Sequence, residues 1–308
     1  MREDRKTILE INNLNITFSQ YEAGLRKTEL PVIRDLNVTV REGEMVAVVG
    51  SSGSGKSLLA HGVMGLLPYN AKMGGEIRYM GEILNEERQR KLRGNEIVMV
   101  PQSIAYLNPL QKIGKQITRG RRGKEKKLKE IFRRYDLKEE VEELYPFELS
   151  GGMNRRILIS TAMIENPRLV IADEPTPGLD LKVAKRAMEH FRELADMGAG
   201  VLVITHDLEL ALETADRIVV FYAGTTLEEA KVSDFQSEET LRHPYTKALF
   251  RAMPQNGFHA AAGVQPYVKN MPSGCPFAPR CDARREECFK EIPWREVRDG
   301  SVRCLYAE

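Results

Sequence analysis

The sequence predicts an α/β fold built on a largely parallel β-sheet. Short apolar segments rich in β-branched residues recur along the chain, and helical patterns separate most of them. This alternation is typical of parallel strands with helices packed against the sheet. Between Gln102 and Pro167 the strand patterns stop and Lys, Arg, Glu and Leu dominate. We therefore expect an all-helical insertion between two strands of the sheet.

The first strands precede a glycine-rich loop. The segment "TILEINNLNITF" alternates apolar and polar residues, as a half-buried strand does. "PVIRDLNVTVREGEMVAVVG" predicts two strands joined by a turn at Glu42 and Gly43. Its end, "MVAVV", is continuously apolar, which suits a buried central strand. The apolar segment "LLAHGVMGLL" then predicts a helix.

Further buried strands are predicted at "EIVMV", "RLVIA", "GVLVIT" and "RIVVFYAG". The charged segment "RGRRGKEKKLKEIFRR" is interpreted as a solvated helix face, because interleaved acidic residues disfavour binding to anionic lipid or nucleic acid. From about Lys231 the chain is richer in Pro, Gly and Cys. We predict a main domain over 1–230, with a helical subdomain at about 103–166, and a small C-terminal domain over 231–308.

Composition narrows the class of protein. The 308 residues are 42% hydrophobic and 29% charged, as in ordinary globular proteins. The net charge of +2 gives no reason to expect a nucleic-acid partner. No apolar run approaches the roughly 18 residues that span a bilayer. The first residues, "MREDRKTILE", show no apolar export signal, so we expect a cytosolic protein. Clustered cysteines there favour metal or redox chemistry over disulfides.

A phosphate-binding loop is the strongest local signal. "GSSGSGKS", from Gly50 to Ser57, matches G-x-x-x-x-G-K-[ST] and lies between a predicted buried strand and an apolar helix. Glycines allow backbone N–H groups to point at phosphate oxygens, and the following helix adds its positive N-terminal dipole. Lys56 is expected to reach the β- and γ-phosphates, and Ser57 to ligate Mg²⁺.

An acidic pair follows a later strand. "LVIADEP" places Asp173 and Glu174 at the end of an apolar segment. Asp173 is expected to hold Mg²⁺, and Glu174 to act on the attacking water as a general base. An acidic loop alone carries little information, but together with the phosphate loop it indicates nucleotide hydrolysis.

Two more motifs identify a family. "LSGGMNRR" runs from Leu149 to Arg156, and "ITHD" places His206 after another apolar strand. With Gln102 after "EIVMVP" and Asp180 in "PGLD", the chain resembles an ATP-binding cassette (ABC) ATPase, a P-loop NTPase of RecA-like fold, throughout residues 8 to 230.

The resemblance implies ATP and Mg²⁺ as ligands and gives each motif a role. Glu174, His206 and Gln102 would be catalytic, with Ser57, Gln102 and Asp173 around Mg²⁺. Phe18, or as second choice Tyr21, would stack on adenine. The residues implied to bind ATP in the loop are Gly50, Ser51, Gly53, Ser54, Gly55, Lys56 and Ser57.

In this family two cassettes pack head to tail around the ATP molecules. Ser150, Gly151 and Gly152 of the signature would therefore contact the nucleotide of the partner cassette, and Asp180 would bridge the two sites. The presence of Glu174 and His206 argues against a degenerate cassette that binds ATP without hydrolysing it.

The C-terminal part resembles the oligopeptide/dipeptide/nickel importer ATPases. The resemblance rests on "HPYTKALFRAMP" and "GCPFAPRC". It implies a peripheral protein on the cytoplasmic face of the membrane, with a second and different ATPase subunit, two permeases and an extracytoplasmic binding protein. Peptides are the expected cargo. Nickel or metallophore chelates are the alternative, and a soluble cassette acting on nucleic acid is a more distant one.

The spacing of Cys275, Cys281, Cys288 and Cys304 leaves zinc, an iron–sulfur cluster and two disulfides open. The expected cytosolic location disfavours disulfides, so zinc and unbound thiols are the alternatives to a cluster. The family resemblance favours a 4Fe–4S cluster on these four residues. Three departures from the family pattern stand out. The signature reads "GGMNRR" where "GGMRQR" is more common, which changes positions 154 and 155; "PTPGLD" replaces "PTTALD"; and the helical insertion is short. None removes a catalytic group, so we expect hydrolysis.

Overall fold

A computed structural model describes residues 5–21 and 26–308 of the chain. The strands are β1 (Thr7–Tyr21), β2 (Lys27–Arg41), β3 (Met45–Val49), β4 (Ala71–Tyr79), β5 (Glu82–Ile83), β6 (Ile97–Val100), β7 (Leu169–Asp173), β8 (Gly200–Thr205), β9 (Arg217–Tyr222), β10 (Thr225–Lys231), β11 (Arg295–Val297) and β12 (Gly300–Val302). The α-helices are α1 (Lys56–Met64), α2 (Glu86–Leu92), α3 (Ile113–Thr118), α4 (Glu125–Arg134), α5 (Gly151–Met163), α6 (Leu181–Asp196), α7 (Leu208–Thr214) and α8 (Pro244–Arg251).

The central sheet has the strand order β11-β12-β10-β9-β3-β8-β7-β6. The pairs from β9 through β3, β8 and β7 to β6 are all parallel, which confirms the predicted parallel sheet. Strands β3, β7 and β8 are buried along their whole length, so their apolar runs fit a sheet covered on both faces. Since these strands run in one direction, the loops after them lie at one edge of the sheet.

A second sheet is antiparallel, with the order β2-β1-β4-β5. The strands predicted at "TILEINNLNITF" and "PVIRDLNVTV" are β1 and β2, which pair from Thr7 opposite Arg41 to Tyr21 opposite Lys27. Strands β4 and β5 were not predicted, because β4 reads "AKMGGEIRY" and its polar and glycine positions interrupt the apolar–polar alternation of a strand. Apolar residues of this sheet, of α1 and of the central sheet form one core.

The helical insertion is confirmed over the region between β6 and β7. It contains α3, α4 and α5, joined by short 3-10 helices. Helix α4 buries Leu128, Ile131 and Phe132, while most of its charged residues face solvent. This amphipathic pattern agrees with the solvated face predicted for the charged segment. The same core includes Ile157 of α5 and Phe191 of α6, which join the insertion to the sheet.

The C-terminal region continues the central sheet. Strand β12 pairs with β10, with Glu228 opposite Val302, and β11 pairs with β12. The boundary predicted near residue 230 therefore falls at the end of β10, and β10 pairs in the sheet with β12 of the C-terminal region. Tyr222, Tyr245 and Phe277 pack ring against ring in the core that the two regions share. Among the described residues, no helix is long and apolar enough to cross a membrane.

Candidate active site

The phosphate loop joins β3 to α1 and depends on glycine at two positions. A Cβ atom at Gly50 would lie 2.0 Å from the carbonyl oxygen of Phe221, so only glycine fits against β9. Gly55 has φ +97°, in the left-handed region, and a Cβ there would lie 2.8 Å from Ile33. Helix α1 begins at Lys56, directly after Gly55. The loop therefore has the tight curl that the motif predicts.

Lys56 is folded back on its own loop. Its Nζ donates to the carbonyl oxygens of Gly50, at 2.8 Å, and Ser51, at 2.9 Å. The same Nζ lies 4.0 Å from Oε1 of Glu174. Burial lowers the pKa of Lys56, and the carboxylates of Glu174 and Asp173 oppose that shift. A phosphate that enters the loop could take the place of the two carbonyl oxygens as acceptor.

A hydroxyl and a carboxylate meet beside Lys56. Ser57 Oγ donates to Oδ1 of Asp173 at 3.0 Å, which joins α1 to the end of β7. Asp173 is only 3% exposed, and burial raises its pKa while the Ser57 hydrogen bond opposes the rise. Hydroxyl and carboxylate oxygens are hard ligands of the kind that Mg²⁺ prefers. The residues present therefore fit the magnesium site predicted for Ser57 and Asp173.

The next residue, Glu174, is paired with His206. The distance between Glu174 Oε2 and His206 Nδ1 is 2.8 Å. Glu174 is buried, whereas the side chain of His206 is half exposed. Glu174 has φ +45°, a backbone conformation that is uncommon for a residue with a side chain and that recurs at functional sites. The two residues predicted to act on water thus lie within hydrogen-bond distance of each other.

Gln102 and Asp180 lie in loops near this centre. Gln102 follows β6 and its side chain is exposed, while its carbonyl oxygen accepts a hydrogen bond from Arg155 Nη1 at 2.6 Å. Asp180 is the N-cap of α6, where its Oδ1 accepts from the Val183 N–H at 3.0 Å. Among the described residues, none forms a hydrogen bond with the Gln102 side chain. This exposed side chain is therefore accessible to a ligand.

The signature motif opens α5. Ser150 is the N-cap, and its Oγ accepts from the Met153 N–H at 3.4 Å. Gly151 and Gly152 are exposed, and a Cβ at either position would meet no atom within 4 Å. The helix N-terminus thus presents exposed backbone N–H groups, which suit an anion brought by another molecule.

The two aromatic candidates differ in surroundings. Phe18 is half buried in β1, opposite Leu30 and Ala71, and packs against the core of the antiparallel sheet. Tyr21 is 71% exposed at the end of the same strand. Tyr21 is therefore more accessible to a ligand than Phe18.

Two residues near the site were not predicted. Arg155 donates to carbonyl oxygens of three residues in two loops. Gln265 of the C-terminal region accepts from Ser51 Oγ at 2.7 Å. The unusual Arg155 in the signature was a visible signal, whereas nothing in the sequence around Gln265 points to the phosphate loop.

The four cysteines line one cavity of about 560 Å³ in the C-terminal region. All four are free thiols; Cys275, Cys281 and Cys288 are buried and Cys304 is partly buried. Burial raises the pKa of Cys275 to about 12 and also raises the pKa of Cys281 and Cys304. Within residues 5–21 and 26–308, no three His, Cys, Asp or Glu side chains are arranged to hold a metal ion. The geometry thus gathers the thiols but provides no formed metal site.

Comparisons with known proteins agree with this geometry. The family profile described as ABC transporter matches residues 33–177, and that of the oligopeptide/dipeptide transporter C-terminal region matches 227–288. The cassette MJ0796, solved as a dimer in a post-hydrolysis state bound to ADP and Pi, has a TM-score of 0.63 at 26% identity, covering 73% of this chain and 99% of that one.

Curated relatives match nearly the full length. The oligopeptide transport ATP-binding protein OppD of Salmonella typhimurium is 35% identical over 97% of this chain and 93% of its own length. AppD of Bacillus subtilis, another oligopeptide transport ATP-binding protein, is 36% identical over 98% of each chain. A putative peptide import ATP-binding protein of Brucella ovis is 36% identical over 94% of this chain. The chain belongs to the ATP-binding cassette family of transporter ATPases that carry the oligopeptide/dipeptide transporter C-terminal region.

Proposed function

We propose that the chain is the ATP-hydrolysing subunit of an importer for oligopeptides. The observation that carries this proposal is the assembled centre in which Ser57 contacts Asp173 and Glu174 contacts His206. The printed functions of the relatives, oligopeptide transport and peptide import, support the choice of cargo. No observation favours nickel chelates or nucleic acid.

The phosphate loop would bind the β- and γ-phosphates of ATP. Lys56 Nζ already lies inside the loop and would exchange its bonds to the Gly50 and Ser51 carbonyl oxygens for bonds to phosphate. The loop residues proposed to bind ATP remain Gly50, Ser51, Gly53, Ser54, Gly55, Lys56 and Ser57. Tyr21, which is exposed beside β2, is the better placed of the two aromatic candidates for adenine.

Ser57, Asp173 and Gln102 would hold Mg²⁺, which neutralises charge on the phosphates when it is bound. Glu174 would accept a proton from the attacking water, since its carboxylate is buried and fixed by His206. His206, with its half-exposed side chain, would donate to the γ-phosphate. Each of these groups lies at or directly after the carboxyl end of a strand of the parallel sheet, Ser57 in the first turn of α1.

The partners are part of the proposal. Ser150, Gly151 and Gly152 are exposed at the start of α5, so they can serve the ATP of a second cassette, with Asp180 at the same interface. A heterodimer of ATPases, two permeases and an extracytoplasmic binding protein would complete the importer. The chain would then lie on the cytoplasmic face of the membrane. We also propose that residues 1–230 form its ATPase domain and residues 231–308 a C-terminal domain of the oligopeptide-transporter type.

A 4Fe–4S cluster on Cys275, Cys281, Cys288 and Cys304 is a separate proposal. Its support is that all four thiols line one cavity, because in such a cluster each thiolate binds its own iron atom. Anaerobically purified protein should then be brown, with absorption near about 400 nm. Colourless protein with stoichiometric zinc would contradict the cluster.

The transport function is tested with the complete importer in proteoliposomes. The ATPase rate is measured with the binding protein loaded with short peptides, loaded with a Ni²⁺ chelate, or empty. We expect stimulation by peptides alone. Stimulation by the chelate and not by peptides would replace the cargo assignment, and a wild-type complex that does not hydrolyse ATP would overturn the proposal.

A further inference from the structure

Arg155 is a buried cation in the second turn of α5. It is only 9% exposed. Its Nη1 donates to the carbonyl oxygen of Gln102 at 2.6 Å and to that of Pro101 at 3.3 Å, and its Nη2 donates to the carbonyl oxygen of Pro177 at 3.4 Å. The bond to Gln102 is the shortest of the three and therefore the strongest.

These acceptors belong to two loops of the proposed ATP site. Pro101 and Gln102 follow β6 at the start of the chain segment that leads into the helical insertion. Pro177 lies in the loop between β7 and α6, between Glu174 and Asp180. Arg155 itself is five residues after Ser150, on the helix that the signature opens. One side chain thus joins the signature helix to both loops.

The neighbouring Arg156 points elsewhere. Its Nη1 donates to the carbonyl oxygens of Tyr135 and Asp136, at 3.1 and 2.9 Å, at the end of α4. Consecutive guanidinium groups on α5 therefore hold different parts of the molecule: Arg156 holds the helical insertion, and Arg155 holds the loops at the sheet edge. This division indicates that Arg155 does more than stabilise the insertion.

The positive charge of Arg155 is also close to the proposed hydrolytic centre. The hydrogen bonds of Arg155 that the structure describes go to carbonyl oxygens and not to a carboxylate. Burial lowers the pKa of Arg155, and the carboxylates of Glu174 and Asp173 oppose that shift, so both carboxylates lie within electrostatic range. An arginine remains protonated even when buried. The cation is therefore a fixed charge beside the proposed hydrolytic centre.

We propose that Arg155 is a positioning residue that moves the Gln102 loop and the Asp180 loop together with the signature helix when ATP draws the signature of one cassette onto the other. The inference rests on the proposed ATPase function. Glutamine, the residue that the family resemblance gives as more common at this position, is shorter and has one amide group, so it cannot replace all three bonds. Arg155 would thus link the two loops more tightly than glutamine does.

The test compares Arg155→Gln, Arg155→Met and Arg155→Lys with wild type in the complete importer. Because Arg155 does not reach the phosphate loop by any described contact, the affinity for a fluorescent ATP analogue should change less than about twofold. The kcat should fall by about 10- to 100-fold for Arg155→Met, because small displacements of positioned groups have effects of that size. Arg155→Lys should recover part of the loss, since lysine keeps a charged donor.

Hydrogen–deuterium exchange supplies a second measurement. In wild type, ATP should slow exchange in segments 101–112 and 174–180 over one range of ATP concentration. In Arg155→Met the two segments should respond over separate ranges, or one should not respond. A merely structural role would lower the melting temperature and leave this joint response intact.

Arg192→Gln is the matched control. Arg192 also donates to a loop carbonyl, that of Gly43, but at the opposite end of β3 from the phosphate loop. Unchanged kcat and joint exchange in Arg155→Met would overturn the inference, as would an equal loss of kcat in Arg192→Gln. A wild-type complex without ATPase activity would overturn the proposed function. Failure of the proposed function therefore shows in wild type, whereas failure of the inference on Arg155 shows only in the variants.

Discussion

The nucleotide site and the cysteine cavity both bring reactive groups together, but only the nucleotide site draws them from distant parts of the chain and pairs them with each other. At the nucleotide site, Ser57 is hydrogen-bonded to Asp173 and Glu174 to His206. In the cavity, by contrast, burial raises the pKa of the Cys275, Cys281 and Cys304 thiols and so keeps them protonated. Paired groups fix each other's orientation before a ligand arrives. Buried thiols with a raised pKa stay neutral until a metal ion displaces the proton.

The largest expected effect is on the paired groups. Glu174→Gln keeps the shape of the side chain but removes the carboxylate that would accept the proton from water. We expect kcat to fall by about 10²- to 10⁴-fold, the range of a general base, while ATP still binds. Glu209→Gln, in the first turn of α7 after His206, is the matched control and should leave kcat near the wild-type value. Equal rates in Glu174→Gln and wild type would refute the assignment of the base.

The second effect concerns thiol reactivity in the cavity. The ordinary thiol pKa is 9.0, and burial raises that of Cys275 to about 12. Because the thiolate is the nucleophile, Cys275 of metal-free protein should alkylate about 1000-fold more slowly at pH 8 than in unfolded protein. The rate should rise about tenfold per pH unit up to pH 12, as the thiolate fraction rises. Mass spectrometry after timed labelling measures both.

Cys275→Ser supplies the control for that labelling experiment, since it removes the signal assigned to this thiol. Rapid labelling of Cys275 at pH 8 in folded, metal-free protein would show that the cavity does not protect it. Protein that carries a metal or a cluster should label slowly at every pH, because a ligated sulfur is deprotonated but blocked.

A third effect extends the comparison to a buried neutral group in the ATPase region. His190 of α6 is 6% exposed and packs edge to face on Tyr135, and its Nδ1 has no hydrogen-bond partner. Burial, with help from Arg134 and Arg186, lowers its pKa from 6.5 to about 4. Between these pH values the unfolded chain binds more protons than the folded one, so the free energy of unfolding decreases as pH falls.

The stability that depends on neutral His190 should be fully present above pH 6.5 and lost progressively down to pH 4. The loss is about 3 kcal/mol, at about 1.4 kcal/mol per unit of pKa difference. Denaturant unfolding of wild type and His190→Leu across this range measures it, and the variant should show a flatter dependence. Identical slopes in wild type and His190→Leu would disprove the assignment.

The sequence was most informative where spacing is local. The loop from Gly50 to Ser57 and the pair Asp173 and Glu174 follow buried strands, so parallel pairing alone brings them to one edge. It was least informative where tertiary contacts decide. Strand β4 lacks clear alternation, and the bond between Ser51 and Gln265 joins positions separated by 214 residues. The cysteines were visible, but their spacing could not show what they bind, because it contains no C-x₂-C pair typical of zinc sites.

The smallest effect tests whether the two regions unfold as one unit. Ser51 Oγ donates to Gln265, and the regions also share a core of aromatic rings around Tyr222. Gln265→Ala and Ser51→Ala should each lower the free energy of unfolding by about 1 kcal/mol, and the double variant should lose less than the sum because both remove one hydrogen bond. Gln255→Ala, in the same region but not at the phosphate loop, should add independently to Ser51→Ala. If the losses in free energy of unfolding for Gln265→Ala and Ser51→Ala were strictly additive, the hydrogen bond between these residues would not stabilise the fold. The C-terminal region would then be held against the nucleotide-binding region by the shared apolar core and the continuous β-sheet.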